Sequence, residues 1–355
     1  MDLTQLVRRF GRDAEQAAVL TGRWRVFRGG SAAGGLPYRL RFGTALCAGA
    51  PLCDPPDTAA LLDVFLAACA ARRWHAVFVP VGPSFAALAA EHGCAGWKIG
   101  EQPILDLRHW PPRGRAAANL RTARNRAARE GVQTREWLPD AEPGCLHELR
   151  RLWAAWLAAH GGAPLGFVLG GDPFAPAAGR RWFLAEQNGT VQAVVVTALL
   201  PARGAVALQH FMRRPDAPIG CVESAVAAAL LAHRAAGVAT GLLALAPLRG
   251  LDQTRPGEPL IVGRDDRGHR TALRSLIWLR AHGRRLYRAA ALERFKRNLA
   301  PSGWESAYLV HYPPRLQPRM AVAALQEVLP GGLRSLPRHA ARGVGRMLAE
   351  RVGGR

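Results

Sequence analysis

The sequence has almost no lysine. Lys98 and Lys296 are the only two, although lysine and arginine together number 48 against 26 acidic residues, so a formal net charge of +22 is carried by arginine. Arginine binds phosphate in bidentate fashion, which predicts a polyanionic partner: RNA, DNA or an anionic lipid surface. A genome rich in G and C would explain the choice of arginine over lysine, but not the excess of base over acid.

Cysteine motifs and long apolar runs are also absent. The six cysteines form no CxxC pair and no His/Cys cluster with zinc spacing, so we expect neither a metal site nor a disulfide framework, and a reduced cytoplasmic setting fits best. Residues 1–20 lack the apolar run of a signal peptide, and no stretch of about 18 apolar residues occurs. The sequence therefore predicts a soluble or peripheral protein that does not span a membrane.

Length and periodicity predict two α/β halves. A chain of 355 residues suits about two domains of roughly 150 to 180 residues each. Apolar spacing predicts alternating strands and helices throughout, beginning with a helix over residues 4–21. Asn188-Gly189 predicts a tight hairpin between strands at 182–186 and 191–200. The segment between residues 131 and 144, rich in Pro and Asp, is predicted to be a loop.

A predicted helix over residues 115–131 is dense in cations. Its arginines lie all around the helix and are Arg115, Arg121, Arg124, Arg126 and Arg129. Such a helix is not an ordinary buried connector. We expect it to join the two halves and to present a phosphate-binding side, to which we assign Arg121, Arg124 and Arg126. A solvated linker helix is the alternative interpretation.

The stretch from Val206 to Ser224 predicts a strand, a polar turn and the start of a helix. The strand ends in His210 and Arg213, beside the free N–H groups of the helix start. A titratable imidazole and a permanent cation in that position are typical of a site that stabilises an anion or a developing oxyanion. A buried strand with an incidental histidine is the alternative. We further predict substrate contacts from Glu223 in the helix and from Gly166 and Phe167 in an earlier glycine-bounded loop.

Residues from Pro313 onward differ in composition from the rest. They form two short amphipathic segments, 320–329 and 333–352, that are rich in arginine. A basic amphipathic tail can lie on an anionic membrane or on RNA. A solvated tail fits the pattern equally well.

Several short motifs, spread over roughly residues 35–312, together resemble one known family. They are Lys98, Gly100-Glu101, Asp106-Leu107, Leu120-Arg121, Asn125-Arg126, Gly131, residues 166–170, Met212-Arg213, Ala246-Pro247-Leu248 with Gly250, Phe295-Lys296, Pro301, Trp304 and Tyr308. Their order is that of the cytoplasmic catalytic domain of the lysyl- and alanyl-phosphatidylglycerol synthases, the aminoacyl-tRNA-dependent multiple peptide resistance factors. The resemblance implies tandem acetyltransferase-like (GNAT) domains joined by the basic helix.

The domain boundaries follow from this resemblance. We predict an N-terminal GNAT-like domain at 1–114, the connecting helix at 115–131, a catalytic GNAT-like domain at 132–312 and a basic tail at 313–355. The family moves an aminoacyl group from tRNA to the hydroxyl of phosphatidylglycerol. This transfer requires a base for the hydroxyl and a cationic or N–H site for the oxyanion, but no metal or cofactor.

The resemblance assigns roles to three residues of this chain. Arg213 matches the arginine of the family's Asp-Leu-Met-Arg motif, whereas His210 stands where the family has Asp. A neutral imidazole could serve as the base near pH 7, but it would hold a substrate ammonium poorly. Lys296 matches a family lysine suited to a phosphate of lipid or tRNA. Strict strand alternation would send His210 and Arg213 to opposite faces, so a joint role requires a bulge or the strand's end.

Three classes of function therefore remain open. The first is an aminoacyl-tRNA-dependent transferase whose acceptor is either phosphatidylglycerol or a soluble hydroxyl or amine. With the lipid acceptor, we expect a cytoplasmic protein at the inner face of the membrane. The second is an acetyl-CoA-dependent N-acetyltransferase, disfavoured because the turn at 214–220 contains two prolines and Asp216 where a pyrophosphate would bind. The third is a non-catalytic RNA- or membrane-binding relative.

Overall fold

The computed structural model describes residues 1–30, 33–159, 171–253, 255–264, 266–282, 289–320 and 322–323. Within these residues, one mixed sheet of 13 strands carries helices on both of its faces. The order across the sheet is β1-β2-β3-β4-β13-β5-β10-β9-β8-β7-β6, and β11 and β12 pair with β5. The α/β character predicted from the sequence is confirmed.

The helices are α1 (Leu3–Phe10), α2 (Ala14–Ala18), α3 (Thr58–Ala71), α4 (Pro83–Glu91), α5 (Ala118–Arg129), α6 (Cys145–Ala159), α7 (Cys221–Ala235), α8 (Arg267–His282) and α9 (Ala289–Asn298). The strands are β1 (Arg25–Phe27), β2 (Leu36–Arg41), β3 (Thr44–Ala48), β4 (His75–Val81), β5 (Ala95–Asp106), β6 (Gln133–Trp137), β7 (Arg180–Gln187), β8 (Thr190–Leu200), β9 (Ala205–Arg213), β10 (Thr240–Leu242), β11 (Ala246–Pro247), β12 (Ile261–Val262) and β13 (Gly303–Tyr312).

The two ends of the chain each pack against the opposite half. Strand β13 lies between β4 and β5 and pairs antiparallel with both. Helices α1 and α2 pack through Leu6, Phe10 and Ala17 against Ala205 and Ala207 of β9. The halves therefore share one continuous sheet, and the boundaries at residues 114 and 131 stay a prediction.

Local signals in the sequence predict most elements, with two differences. The hairpin is confirmed, with Asn188 and Gly189 both at positive φ (51° and 73°) as a type I′ turn requires. The helix expected over residues 4–21 is broken at Gly11, whose amide ends α1 by donating to Val7. The predicted loop after residue 131 contains strand β6, whose polar residues are paired across to β7: Arg135 with Glu186 and Glu136 with Arg181. Because these charged residues are paired within the sheet, the strand has the polar composition that is typical of a loop, and the sequence pattern does not indicate a strand.

Two large apolar clusters anchor the halves. One joins α7 and α5 to strands β5, β7, β8 and β9, and the other joins α3 and α4 to strands β2, β3, β4 and β13. All six cysteines are free thiols. None of the described helices has the length and apolar character needed to cross a lipid bilayer. Most of the predicted basic tail, from residue 324 on, lies outside the described residues.

Candidate active site

A crevice forms where two parallel strands diverge. β9 and β10 pair only from Ala205–Thr240 to Ala207–Leu242. Beyond this point β9 continues to Arg213. The segment that follows β10 diverges from β9 and pairs through β11 with β5. Ala244, at the turn, has φ 54°, in the left-handed region that non-glycine residues seldom adopt. The backbone on both sides of the crevice therefore lacks its usual strand partner, and side chains occupy the gap.

Lys296 of α9 reaches into this crevice from one face of the sheet. Its Nζ donates to the carbonyl oxygens of Ala244 (3.0 Å) and Leu245 (2.7 Å), and the side chain is only 3% exposed. Phe295 beside it packs edge-on against Phe211 of β9, with ring centroids 5.4 Å apart. Burial lowers the pKa of Lys296 to about 7, partly opposed by the charge of Glu15. Lys296 is thus an amine that can change its charge near neutral pH.

Glu15 of α2 approaches the same crevice from the other face. It is 5% exposed and lines a small cavity together with Ala14, Ala18, Leu208, Gln209 and Ala244. Burial, reinforced by the neighbouring Asp13, raises the pKa of the carboxyl to about 7. The charge of Lys296 and the backbone amides of Glu15 and Leu245 act in the opposite direction. Sequence reasoning missed this residue, because nothing local distinguishes it from a surface glutamate at a helix start.

A bulge in β9 sets the direction of Gln209 and His210. Val196 of β8 pairs with His210 and Thr197 pairs with Leu208, so Gln209 is the extra residue. Leu208 and Phe211 both pack in the α7 cluster. Because two residues separate them instead of one, Gln209 and His210 are turned to the opposite face, the face of α2. His210 is buried there, beside the residue that lines the Glu15 cavity.

Arg180 is a second buried cation on the α2 face. Its guanidinium donates to Gln209 Oε1 (3.2 and 3.3 Å) and to the carbonyls of Asp172 and Ala175. Burial lowers its pKa to about 10. The arginine therefore fixes the bulge against the loop before β7. A single arginine at the start of a strand carries no signal of this role in sequence.

Arg213 and His210 are not brought together. The bulge precedes His210, so alternation resumes after Phe211, and Arg213 returns to the face of α7. There it is exposed, and its Nη1 donates to the carbonyl of Ala217 at 3.4 Å. Glu223 is half-buried in the first turn of α7. Both predicted residues therefore lie near the start of α7, and Arg213 is also the last residue of β9, the strand that forms one side of the crevice.

The start of α7 is closed by α5. Gly220, immediately before α7, has φ 97°, and a Cβ there would collide with the carbonyl oxygen of Ala123. In the preceding turn, the Arg214 guanidinium is engaged by the carbonyl of Val191 (2.7 Å) and by Glu148 (3.1 Å). The turn is therefore filled by contacts within the chain.

Several of the residues that carried the family resemblance form one ion-pair network. Buried Lys98 and Glu101 of β5 are 2.9 Å apart, and Arg249 and Arg255 also contact the Glu101 carboxylate, at 2.9 and 3.1 Å. Arg249 Nε lies at ion-pair distance from Glu101 Oε2, but its N–H does not point at that oxygen, so the two atoms form no hydrogen bond. Arg249 also pairs with Glu293 of α9. The network thus holds the loop after β11 and the helix of Lys296 against β5.

The arginines of α5 are divided between two sides. Leu120 and Ala127 are buried against α7, whereas Arg121 and Arg126 are exposed and Arg124 is half-buried. Arg126 pairs with Glu130 at 2.9 Å. Within the part of the chain that the structure describes, Arg121 and Arg124 have no carboxylate within ion-pair distance. Gly166 and Phe167, also predicted from the sequence, lie outside the described residues.

Comparison with known proteins supplies the family. A family model described as phosphatidylglycerol lysyltransferase, C-terminal, matches residues 5–311, which is most of the chain. The chain belongs to this family. The resemblance read from the sequence is thereby confirmed. The match covers both lysines, the crevice and the ion-pair network that supports it.

Two curated proteins are similar to this chain at below 30% identity. The lysylphosphatidylglycerol biosynthesis bifunctional protein LysX of Mycolicibacterium gilvum is 27% identical over 299 residues, 82% of this chain and 26% of that protein. An uncharacterized protein of Corynebacterium glutamicum, Cgl0966/cg1103, is 28% identical over 143 residues, 39% of this chain and 18% of that protein. The chain thus spans about a quarter or less of these curated relatives.

Solved structures show the same fold. The C-terminal domain of a protein described as a lysylphosphatidylglycerol synthetase from Agrobacterium fabrum has a TM-score of 0.70 and 21% identity, covering 94% of this chain and 97% of that one. The L-PGS structure from Bacillus licheniformis has a TM-score of 0.73 and 19% identity, covering 92% and 96%. The predicted α/β, GNAT-like fold is confirmed.

Proposed function

We propose that this chain transfers an aminoacyl group from aminoacyl-tRNA to the glycerol hydroxyl of phosphatidylglycerol. The observation that carries the proposal is the family match over residues 5–311, which includes the crevice and Lys296. The two charged side chains in that crevice, Lys296 and Glu15, both have a pKa of about 7. Groups of this kind are suited to proton and charge changes at physiological pH.

The reaction needs no group beyond those of the chain and its substrates. The hydroxyl oxygen attacks the ester carbonyl carbon, and the carbonyl oxygen becomes an oxyanion. Collapse of the tetrahedral intermediate breaks the bond to the ribose oxygen of tRNA, which takes up the proton released by the attacking hydroxyl. We assign the transfer of this proton to the imidazole of His210.

We propose that Lys296 stabilises the oxyanion. A protonated lysine has three N–H donors, and the carbonyls of Ala244 and Leu245 use two of them. The third remains for the substrate. A donor held by two fixed carbonyls is already oriented before charge develops, which is the requirement for stabilising a transition state.

Arginines near the α7 start are proposed to hold the tRNA. Arg121 and Arg124 of α5 have no carboxylate partner among the described residues, and Arg213 is exposed at the end of β9. All three are on elements that meet at α7. Contacts of this kind position a phosphate backbone without reading sequence. Arg126, paired with Glu130, would contribute less. Glu223, in the first turn of α7, stays a proposed substrate contact, as do Gly166 and Phe167.

The membrane-facing side is assigned to α8. Arg267, Arg270, Arg274 and Trp278 lie along one exposed side of this helix, and Trp278 is 60% exposed. The opposite side packs through Leu273 against the loop after β11, which borders the crevice. A helix with basic residues and an interfacial tryptophan on one side is suited to the headgroup region of an anionic bilayer.

The structure disfavours the acetyl-CoA alternative. A pyrophosphate would need free N–H groups at the start of α7, but Gly220 lies against the α5 backbone and Arg214 is bound to Glu148 and Val191. An approaching diphosphate would have to displace these contacts. The polar turn before α7 is therefore better explained as a structural contact between two helices.

Transfer can be tested directly with purified components. The chain is incubated with tRNA charged with a radiolabelled amino acid and with vesicles containing phosphatidylglycerol, and label is measured in the organic phase. We expect RNase-sensitive label that disappears when phosphatidylglycerol is replaced by phosphatidylcholine. Label in a water-soluble amine or alcohol would move the proposal to a soluble acceptor, and no tRNA-dependent product with any amino acid would refute it. Full activity of His210→Ala would remove the base assignment.

A further inference from the structure

Glu15 carries an unused acceptor in the crevice. Its side chain is 5% exposed, and Oε1 accepts no hydrogen bond from any described residue. Lys296 is close enough to influence its charge, but no ion pair within 4.0 Å forms between the described atoms of the two residues, because the Lys296 ammonium is held by two backbone carbonyls. A buried carboxylate oxygen without a donor is destabilising, and native proteins keep such groups mainly where a ligand completes them.

The cavity beside Glu15 defines what could complete it. It is small, of the order of one water molecule, with apolar walls from Ala14, Ala18, Ala244 and Leu208. Gln209 also lines it, and its Nε2 donates to no described acceptor, so a ligand there needs an acceptor beside its donors, as an amino ester has in its carbonyl oxygen. An anion would be repelled by the carboxylate, and an apolar group would leave Oε1 unsatisfied. A small cation with N–H donors satisfies both the charge and the size.

The aminoacyl donor of the proposed reaction carries such a group. We infer that Glu15 is a substrate-binding residue whose carboxylate receives the α-ammonium of the aminoacyl ester. The inference rests on the proposed function, since that function places an α-ammonium in the crevice. The ester carbonyl, two bonds from the amine nitrogen, would then lie beside Lys296, and Gln209 would border the same cavity.

The two buried groups then have separate tasks. Glu15 selects and orients the donor, and Lys296 stabilises the oxyanion. The ammonium and the carboxylate neutralise each other in a buried place, so each keeps its charge on binding. A group of this kind determines specificity for an α-amino acid over the otherwise equal α-hydroxy acid.

The test compares two donors that differ only at the α-position. Aminoacyl-tRNA and the same tRNA carrying the α-hydroxyacyl ester, made by nitrous acid deamination, are assayed with the wild-type chain and with Glu15→Gln. We expect the wild type to prefer the amino ester in kcat/KM, and Glu15→Gln to lose about 10- to 100-fold of that preference, the range of a charge-assisted hydrogen bond. The loss should fall on the amino ester alone.

The ratio of the two donors remains valid if the variant folds poorly, since an unfolded fraction lowers both rates equally. Asp13→Asn is the matched control: it removes the other carboxylate of this segment and should keep the wild-type preference. If Glu15→Gln slows both donors by the same factor, Glu15 is structural or acts on the acceptor, and the inference is overturned. If the wild type transfers from neither donor, the proposed function fails first and the inference with it.

Discussion

Lys296 and Glu15 meet at one point of the backbone from opposite faces of the sheet. Lys296, on α9, donates to the carbonyls of Ala244 and Leu245, and Glu15, on α2, lines the cavity next to Ala244. The meeting is possible only because β9 and β10 separate after Leu242. Burial lowers the pKa of the Lys296 amine to about 7 and raises the pKa of the Glu15 carboxyl to about 7.

Glu15 should make stability fall as the pH rises. Its pKa is about 4.5 in the unfolded chain and about 7 in the folded one, so the folded state binds more protons between these values and loses stability as the pH rises through 7. Glu15→Gln removes this dependence. We expect the variant to gain about 1 to 3 kcal/mol relative to wild type between pH 5 and pH 8, measured by urea denaturation at both pH values. A constant difference would contradict the raised pKa.

Lys296→Met should slow transfer strongly and leave the fold intact. Loss of an oxyanion donor lowers kcat by about 100-fold or more. The free energy of unfolding should change little, because methionine avoids the cost of burying an amine and this offsets the loss of the amine's hydrogen bonds. Single-turnover transfer rates and thermal melting measure the two effects.

Lys98→Met is the matched control, because Lys98 is the other buried lysine. It should lose stability by about 2 kcal/mol, as the buried carboxylate of Glu101 loses one partner, while transfer by the folded fraction remains. Equal losses of activity in the two variants would argue against a specific role for Lys296.

Arg121→Gln combined with Arg124→Gln should weaken tRNA binding. Each lost phosphate contact reduces the slope of log Kd against log salt by about 0.7 to 0.9. Filter binding over a salt series measures this slope. Arg8→Gln, at an exposed arginine of α1, is the control, and an equal effect there would mean that only the overall charge matters.

The exposed side of α8 should determine membrane binding. Arg267→Glu with Arg274→Glu is expected to weaken binding to vesicles containing phosphatidylglycerol by at least about 30-fold, since each basic residue near an anionic surface contributes about 1 kcal/mol. Trp278→Ala should weaken it further, and Trp278→Phe less. Flotation with neutral vesicles provides the baseline. Unchanged binding in the arginine double variant would exclude α8 as the docking surface.

Gly250→Ala should disrupt the ion-pair network. Gly250 has φ 67°, and a Cβ there would collide with the carboxylate of Glu101. Gly257 in the same loop has φ 73° but open space around it. We therefore expect Gly257→Ala to cost about 1 kcal/mol from backbone strain alone, and Gly250→Ala about 2 kcal/mol or more. Chemical denaturation compares the two, and equal costs would show that the collision is relieved without loss.

Sequence patterns predicted what depends on neighbours along the chain. The hairpin at Asn188-Gly189 and the helix of the basic arginines are local, because turn geometry and apolar spacing are written within a few residues. Strand β6 was missed because its charges are paired with β7. The insertion of β13 between β4 and β5 depends on contacts far apart in sequence, which periodicity does not report.

The candidate site shows the same limit. Lys296 and His210 could be selected from the sequence by the family resemblance. Glu15 could not, because its burial arises from α2 packing against β9, more than half of the chain length away. His210 and Arg213 stay on opposite faces because the bulge at Gln209 lies before both of them, so ordinary strand alternation separates them. The bulge itself could not be predicted, since one extra residue in a strand leaves no composition signal.

Both lysines lie inside the fold, at 1% and 3% exposure. Reagents directed at lysine therefore find no exposed lysine amine on the folded chain, and the exposed amine they meet at residue 1 is the N-terminal one. A lysine amine with a pKa near 7 is, however, a strong nucleophile once a reagent reaches it. The rate at which Lys296 is modified, followed by mass spectrometry, thus measures how often the crevice opens. Aminoacyl donors that fill the crevice should lower this rate.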